Sequence, residues 1–200
     1  MFWDKAAGLY DLFENVYNGK VNKQLCLVVA DMMEENDRVL ECACGTGMIS
    51  KYIGPRVKGL IATDFSVGML KEANKNCMHM PNVRIRKADI MQLKCKDNAF
   101  DKVVAGNVIH LLDEPYKALD ELMRVCKPGG MVIIPTYVND ENKEKHSIFI
   151  KAIEKFGAGF KCQFNLETYI DFFEKAGYDD AEYIFIEGRM PSAIAVITKK

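Results

Sequence analysis

The sequence predicts an α/β protein: a doubly wound, mostly parallel sheet of seven strands with an antiparallel last strand. Three observations carry that prediction. Short apolar runs alternate with amphipathic segments from about residue 38 to residue 134, which demands crossover connections and parallel pairing. The first three strands each run into an acid, Glu41, Asp64 or Asp89, at intervals of about one strand-helix unit. The last two strands have no helix between them and close as an antiparallel hairpin.

The elements follow in order. Lys23 to Glu35 has helical apolar periodicity and is broken by Asn36-Asp37. Arg38 to Cys42 is the first strand, and Gly45-Thr46-Gly47 turns it into a helix. Lys58 to Thr63 is the second strand, and Ser66 caps the helix through Met69, Leu70 and Ala73. Val83 to Ala88 and Phe100 to Ala105 are the third and fourth strands. A helix from Pro115 to Val125 starts on proline, and Pro128-Gly129-Gly130 turns the chain into a fifth strand, Met131 to Ile134. The helix Leu166 to Ala176 stops at Gly177, and strands Ala181 to Glu187 and Ala193 to Thr198 end the fold. Residues 1–20 read as an amphipathic helix acting as a lid, and 139–165 as a mainly helical insertion, within a single domain spanning 1–200.

Composition narrows the function classes. Lys+Arg number 27 against 28 Asp+Glu, a net charge of −1, with 49% hydrophobic residues in a chain of 200. That balance argues against disorder and against a dedicated nucleic-acid binder. No apolar run has the length of a membrane span, and the N-terminus lacks a signal-peptide pattern, so a soluble cytoplasmic protein without a transmembrane segment is expected. The seven cysteines, at 26, 42, 44, 77, 95, 126 and 162, are odd in number and scattered, which suits reduced, buried thiols. Neither they nor His79, His110 and His146 show zinc-ligand spacing, so no metal is expected.

Ligands of open α/β sheets bind beyond the carboxyl ends of the strands, here Glu41 to Gly47, Asp64, Asp89 and Asn107. Three acids there disfavour phosphate and suit a ligand with hydroxyls, amines or positive charge. Gly45-x-Gly47-x-x-Ser50 has two readings: a weak dinucleotide fingerprint, or the end of a unit Glu41-x-Ala43-x-Gly45-x-Gly47 whose small residues let a ligand approach the backbone. The acid ahead of the turn would repel a pyrophosphate and attract an ammonium.

At these residues the chain resembles the class I S-adenosylmethionine-dependent methyltransferases, in particular the small-molecule branch of ubiquinone and menaquinone biosynthesis. The motifs are Val-Leu-Glu-Cys-Ala-Cys-Gly-Thr-Gly at 39–47, Ala-Thr-Asp-Phe-Ser-x-x-Met-Leu at 62–70, Ala88-Asp89-Ile90, Phe100-Asp101 through Asn107-x-x-His110, and Arg-Val-Cys-Lys-Pro-Gly-Gly at 124–130. The resemblance covers about residues 38 to 200 and implies a Rossmann-like sheet whose antiparallel seventh strand sets it apart from a plain dinucleotide-binding domain. It implies S-adenosyl-L-methionine as cofactor and S-adenosyl-L-homocysteine as product. Glu41 would orient the amino-acid end, and Ala43, Gly45, Thr46 and Gly47 would pass along the methionyl and ribose parts. Asp64 would accept the ribose hydroxyls, with Phe65 and Met69 against the adenine. Asp89 and Ile90 would hold the adenine, and Asn107 and Val108 would lie under the sulfonium. Ala43 stands where the family usually has glycine.

The acceptor is expected to be a small, partly apolar molecule. Its pocket candidates are Tyr10, Tyr17, His110 and Tyr137, with His110 also the candidate general base and otherwise a packed or orienting residue. Two other classes stay open: an NAD(P)-dependent oxidoreductase using the glycine turn, and a non-catalytic domain that binds S-adenosylmethionine.

Overall fold

The computed structural model describes residues 18–139 and 163–200. Tyr10, Tyr17, the lid reading of residues 1–20 apart from its last three residues, and nearly all of the 139–165 insertion lie outside the described residues.

The first described element is a helix, α1, over residues 18–31. It ends four residues before the expected Glu35 because Asp37 reaches back: its carboxylate accepts the Glu34 N–H at 2.7 Å and its own N–H donates to the Glu34 carbonyl. There follow β1 (Arg38–Cys42), α2 (Ser50–Ile53), β2 (Gly59–Asp64), α3 (Val67–Cys77), β3 (Val83–Lys87), β4 (Phe100–Ala105), α4 (Pro115–Val125), β5 (Cys126–Tyr137), α5 (Leu166–Lys175), β6 (Glu182–Ile186) and β7 (Ser192–Thr198). Local chemistry sets the helix starts. Ser66 caps α3 by accepting the Met69 N–H, Pro115 opens α4, and Asn165 with Thr168 forms a reciprocal capping box on α5.

The strands form a seven-stranded sheet among the described residues, in the order β3-β2-β1-β4-β5-β7-β6. β1 to β5 are parallel, and β7 lies antiparallel between β5 and β6, as expected of the terminal hairpin. The expected turn at Pro128-Gly129-Gly130 is instead a bulge inside β5. Phe100 faces Cys126 while Lys102 faces Met131, so Lys127 to Gly130 are looped out of the ladder. Gly129 takes φ +76° there, and Lys199 holds the loop with two backbone hydrogen bonds. The Lys199 ammonium also donates to the Met123 and Cys126 carbonyls at the end of α4.

Alternation along the strands builds two cores. Leu40, Val103 and Ile134 face α4 and α5, where Leu119, Leu122 and Phe173 are buried. Val39, Leu60, Val104 and Ile133 face α1 and α2, where Leu25, Val29 and Ile53 are buried. Each such side chain contributes roughly 1.5–3 kcal/mol. The chain winds from β1 toward β3 on one side and from β4 toward β6 on the other, so the switch point lies between β1 and β4. No helix among the described residues is long and apolar enough to cross a membrane.

Candidate functional site

A cavity of about 390 Å³ opens at that switch point, beyond the carboxyl ends of β1, β2, β3 and β4. Every expected cofactor residue except Gly47 lines it: Glu41, Ala43, Gly45, Thr46, Asp64, Phe65, Met69, Asp89, Ile90, Asn107 and Val108. Adjacent strands lie about 4.8 Å apart, so Asp89, Asp64, Glu41 and Asn107, at the ends of four neighbouring strands, span a rim of roughly 14 Å.

The loop after β1 is held by its neighbours. Ala43, Gly45 and Gly47 take φ of +54°, +56° and +87°, a left-handed path that glycine follows without strain and alanine does not. The Cys44 N–H donates to the Thr63 carbonyl (2.8 Å), the Gly45 N–H to Asp64 Oδ2 (2.9 Å), and Asn76 Nδ2 to the Thr46 carbonyl (2.9 Å). The Ser66 N–H binds the other Asp64 oxygen at 2.8 Å. Asp64 is thereby fixed by two backbone donors, and a carboxylate retains lone pairs for ligand hydroxyls. A side chain at Gly45 would meet nothing within 4 Å, so the space above it belongs to the cavity. Gly47 does different work: a Cβ there would stand 3.1 Å from the Cys77 sulfur, so this glycine lets the loop pack on α3.

Glu41 is 1% exposed and accepts the Ser50 hydroxyl at 2.5 Å. Burial, opposed by that hydrogen bond and aided by the Asp64 charge, pushes its carboxyl up to about 8. Asp89 is exposed and accepts the Met91 N–H at 2.9 Å. Asn107 adopts φ +52°, a conformation asparagine tolerates, with its N–H on the Pro135 carbonyl. Its Oδ1 is buried and has no hydrogen-bond partner among the described residues.

Of the acceptor-side candidates, the two that are described, His110 and Tyr137, do not line the cavity. His110 sits in a short 3₁₀ turn, Ile109–Leu111, is only 5% exposed, and is absent from the cavity wall; Leu111 and Leu112 line it instead. Burial pushes its imidazole down to about 4, so it is neutral at physiological pH. The turn aims this side chain into the core, which is the packed alternative. Tyr137 is the last residue of β5, and its hydroxyl donates to Asn22 Oδ1 on α1 at 3.1 Å, away from the cavity lining. The wall also includes Cys44, Met48, Ile49, Lys51, Ala88 and Gly106, which sequence reasoning did not single out as site residues. Lys51 had a usable signal, a base one residue after the serine that follows the glycine turn.

Comparison with known proteins bears on the same region. A family model for a methyltransferase domain matches residues 40–134. A demethylmenaquinone methyltransferase of Paenarthrobacter aurescens is 31% identical over 137 residues, 68% of this chain and 53% of that protein. One of Staphylococcus aureus is 35% identical over 132 residues, 62% of this chain and 54% of its own length. The chain thus spans about half the length of the curated relatives it matches. Among solved structures, a SAM-dependent methyltransferase of Thermotoga maritima superposes with a TM-score of 0.74 at 22% identity, covering 100% of this chain and 98% of that one. The DhpI–SAH complex superposes with a TM-score of 0.72 at 17% identity, covering 98% of this chain and 92% of that one. At those identities the likeness is one of fold, a Rossmann-like methyltransferase sheet.

Proposed function

We propose that this chain, which resembles the class I S-adenosylmethionine-dependent methyltransferases of menaquinone biosynthesis, is an enzyme transferring the methyl group of S-adenosyl-L-methionine to a small, partly apolar acceptor by in-line displacement. The observation that carries the reading is that eleven residues expected from the motifs line one cavity, with three carboxylates, Glu41, Asp64 and Asp89, spread along its rim. The donor set fits the cofactor. Asp64 offers lone pairs to a ribose, Asp89 to an exocyclic amine and Glu41 to an ammonium, and the buried Asn107 oxygen is a partial negative charge beside the sulfonium end. The same carboxylates oppose the pyrophosphate of a nicotinamide dinucleotide, and the comparisons lend the oxidoreductase alternative no support.

Bound there, S-adenosylmethionine supplies a methyl group already activated by its sulfonium. The protein's part is to hold, align and exclude water. Asp64 fixes the ribose because two backbone N–H groups fix Asp64. Phe65, Met69 and Ile90 give the adenine apolar walls, and Val108, Leu111 and Leu112 keep the reacting end dry. His110, buried in the turn behind that wall and outside the cavity lining, packs there rather than meeting the acceptor. A quinone precursor is the first acceptor to try, because the relatives are named for one. We read the chain as a single cytoplasmic domain, with residues 1–20 as a lid and 139–165 shaping the acceptor pocket, acting on a small molecule and not on nucleic acid.

Isothermal titration with S-adenosylhomocysteine and with NAD(P) tests the cavity, with saturable binding expected only for the first. Incubation with methyl-labelled S-adenosylmethionine and a panel headed by demethylated quinones tests the transfer. Tight cofactor binding with no label in any acceptor favours the non-catalytic alternative.

A further inference from the structure

Among the described charged residues lining the cavity, Lys51 is the one base beside three acids. It follows Ser50, whose hydroxyl grips Glu41, and its N–H donates to the Gly47 carbonyl at 3.2 Å. Its ammonium is near enough to Cys77 to favour that thiolate, against the burial that pushes the thiol up. Lys75, Lys102, Lys117, Lys127 and Lys175 each have a carboxylate partner. Lys51 has none among the described residues, although it stands at an acidic cavity.

The sheet order sets what lies beside it. Asp89, Asp64 and Glu41 follow one another at the ends of β3, β2 and β1, so an adenosyl ligand laid along them brings its amino-acid end to β1 and α2. That end is a zwitterion. Glu41 suits the ammonium, but neither it nor Asp64 offers anything to the carboxylate, and Lys51 is the lining cation available to it among the described residues.

We propose that Lys51 binds the α-carboxylate of the cofactor's methionyl end, forming with Glu41 a matched pair of charges that selects ligands with an intact amino acid over adenosyl thioethers that lack one. This rests on the cavity being the S-adenosylmethionine site and adds to it the residue that reads the carboxylate. Lys51→Arg keeps the charge; Lys51→Gln keeps the length without it.

The experiment is isothermal titration of the full chain and both variants with S-adenosylhomocysteine and with 5′-methylthioadenosine. Lys51→Gln is expected to weaken S-adenosylhomocysteine about tenfold, in line with a hydrogen-bonded charge pair, to leave methylthioadenosine within about twofold, and Lys51→Arg to recover most of the loss. Equal losses for both ligands overturn the proposal and make Lys51 a support of the loop. Unchanged S-adenosylhomocysteine affinity overturns it also, and leaves the ammonium to the acceptor. A wild-type chain that binds neither ligand overturns the cavity reading and the lysine's role with it, whereas a wild type that binds both and a Lys51→Gln variant that loses both alike overturns only the latter.

Discussion

Asp37 and Glu41 stand at opposite ends of β1, one just before it and one inside its last turn of the ladder, and the protein treats them oppositely. Asp37 receives the buried Lys102 ammonium at 2.5 Å and the Glu34 N–H at 2.7 Å, while the Glu34 carboxylate lies 3.3 Å from the same ammonium. Glu41 receives the Ser50 hydroxyl and otherwise faces the cavity. The amino-terminal rim of the sheet satisfies its own charges, and the carboxyl-terminal rim holds carboxylates, a lysine and an amide oxygen for something else. Asp37 has its cation in place, whereas burial without one pushes the Glu41 carboxyl up to about 8, so the difference marks which rim serves stability and which serves a ligand.

The largest effect is expected where the charges are mutually satisfied. Lys102→Met leaves Asp37 and its burial without the cation, and should lower stability by about 3–5 kcal/mol in urea unfolding, while the folded protein keeps its affinity for S-adenosylhomocysteine. A loss below about 1 kcal/mol would mean that water already screens this pair. The opposite rim should behave in reverse. Asp64→Ala removes the acceptor of two backbone N–H groups near solvent, costing about 1 kcal/mol of stability, but should weaken S-adenosylhomocysteine by a factor on the order of 100 in isothermal titration. Unchanged affinity removes Asp64 from the site.

How far each rim can be read from sequence follows from this contrast. Period-two alternation and strand-ending acids placed β1 to β4 and the hairpin, and set Glu41, Asp64, Asp89 and Asn107 on one edge, because parallel strands of similar length bring their ends together; Phe65, Met69, Ile90 and Val108 followed only from the resemblance. Register carries less information where a side chain decides it. The bulge in β5 depends on Lys199, some 70 residues away in sequence, and the early stop of α1 depends on Asp37. His110 reads as a pocket histidine because it is three residues past Asn107, yet it sits within a 3₁₀ turn, Ile109–Leu111, that buries it. Lys51 is the converse: its place just after Ser50 is a signal, but a base on a short helix reads equally as a solvated face, and the fold decides by setting it at the acidic cavity.

A smaller effect comes from the pH dependence of the two buried titrating groups. The Glu41 carboxyl moves from 4.5 up to about 8 on folding, so its contribution to stability is whole below 4.5 and is lost as pH rises toward about 8. The His110 imidazole moves from 6.5 down to about 4, so its contribution is whole above 6.5 and is lost as pH falls toward about 4. Between 6.5 and about 8 only Glu41 of the two is active. In that window the ligand-free protein should lose Tm as pH rises, Glu41→Gln should flatten the slope, and S-adenosylhomocysteine affinity should rise with pH in the wild type alone, since the ionised carboxylate meets the ligand's ammonium. Parallel slopes for both proteins would place the titrating group elsewhere.

The smallest effect belongs to Ala43, on the same rim. Its φ of +54° is one that L-residues adopt at a cost of roughly 1–2 kcal/mol and that glycine adopts freely. Glycine relieves that strain but also loosens the unfolded chain, worth about 0.4–1 kcal/mol in the opposite sense. Ala43→Gly should therefore raise stability by no more than about 1.6 kcal/mol in urea unfolding. The affinity for S-adenosylhomocysteine decides what the methyl does. If it lies beside the ligand without touching it, affinity holds within about twofold; if the methyl packs against the ligand, removing it weakens binding, as the loss of any buried methyl group does. A drop in stability would mean instead that the methyl's own packing outweighs the strain, and that the glycine loop is held by side-chain contact as well as by Asp64 and Asn76.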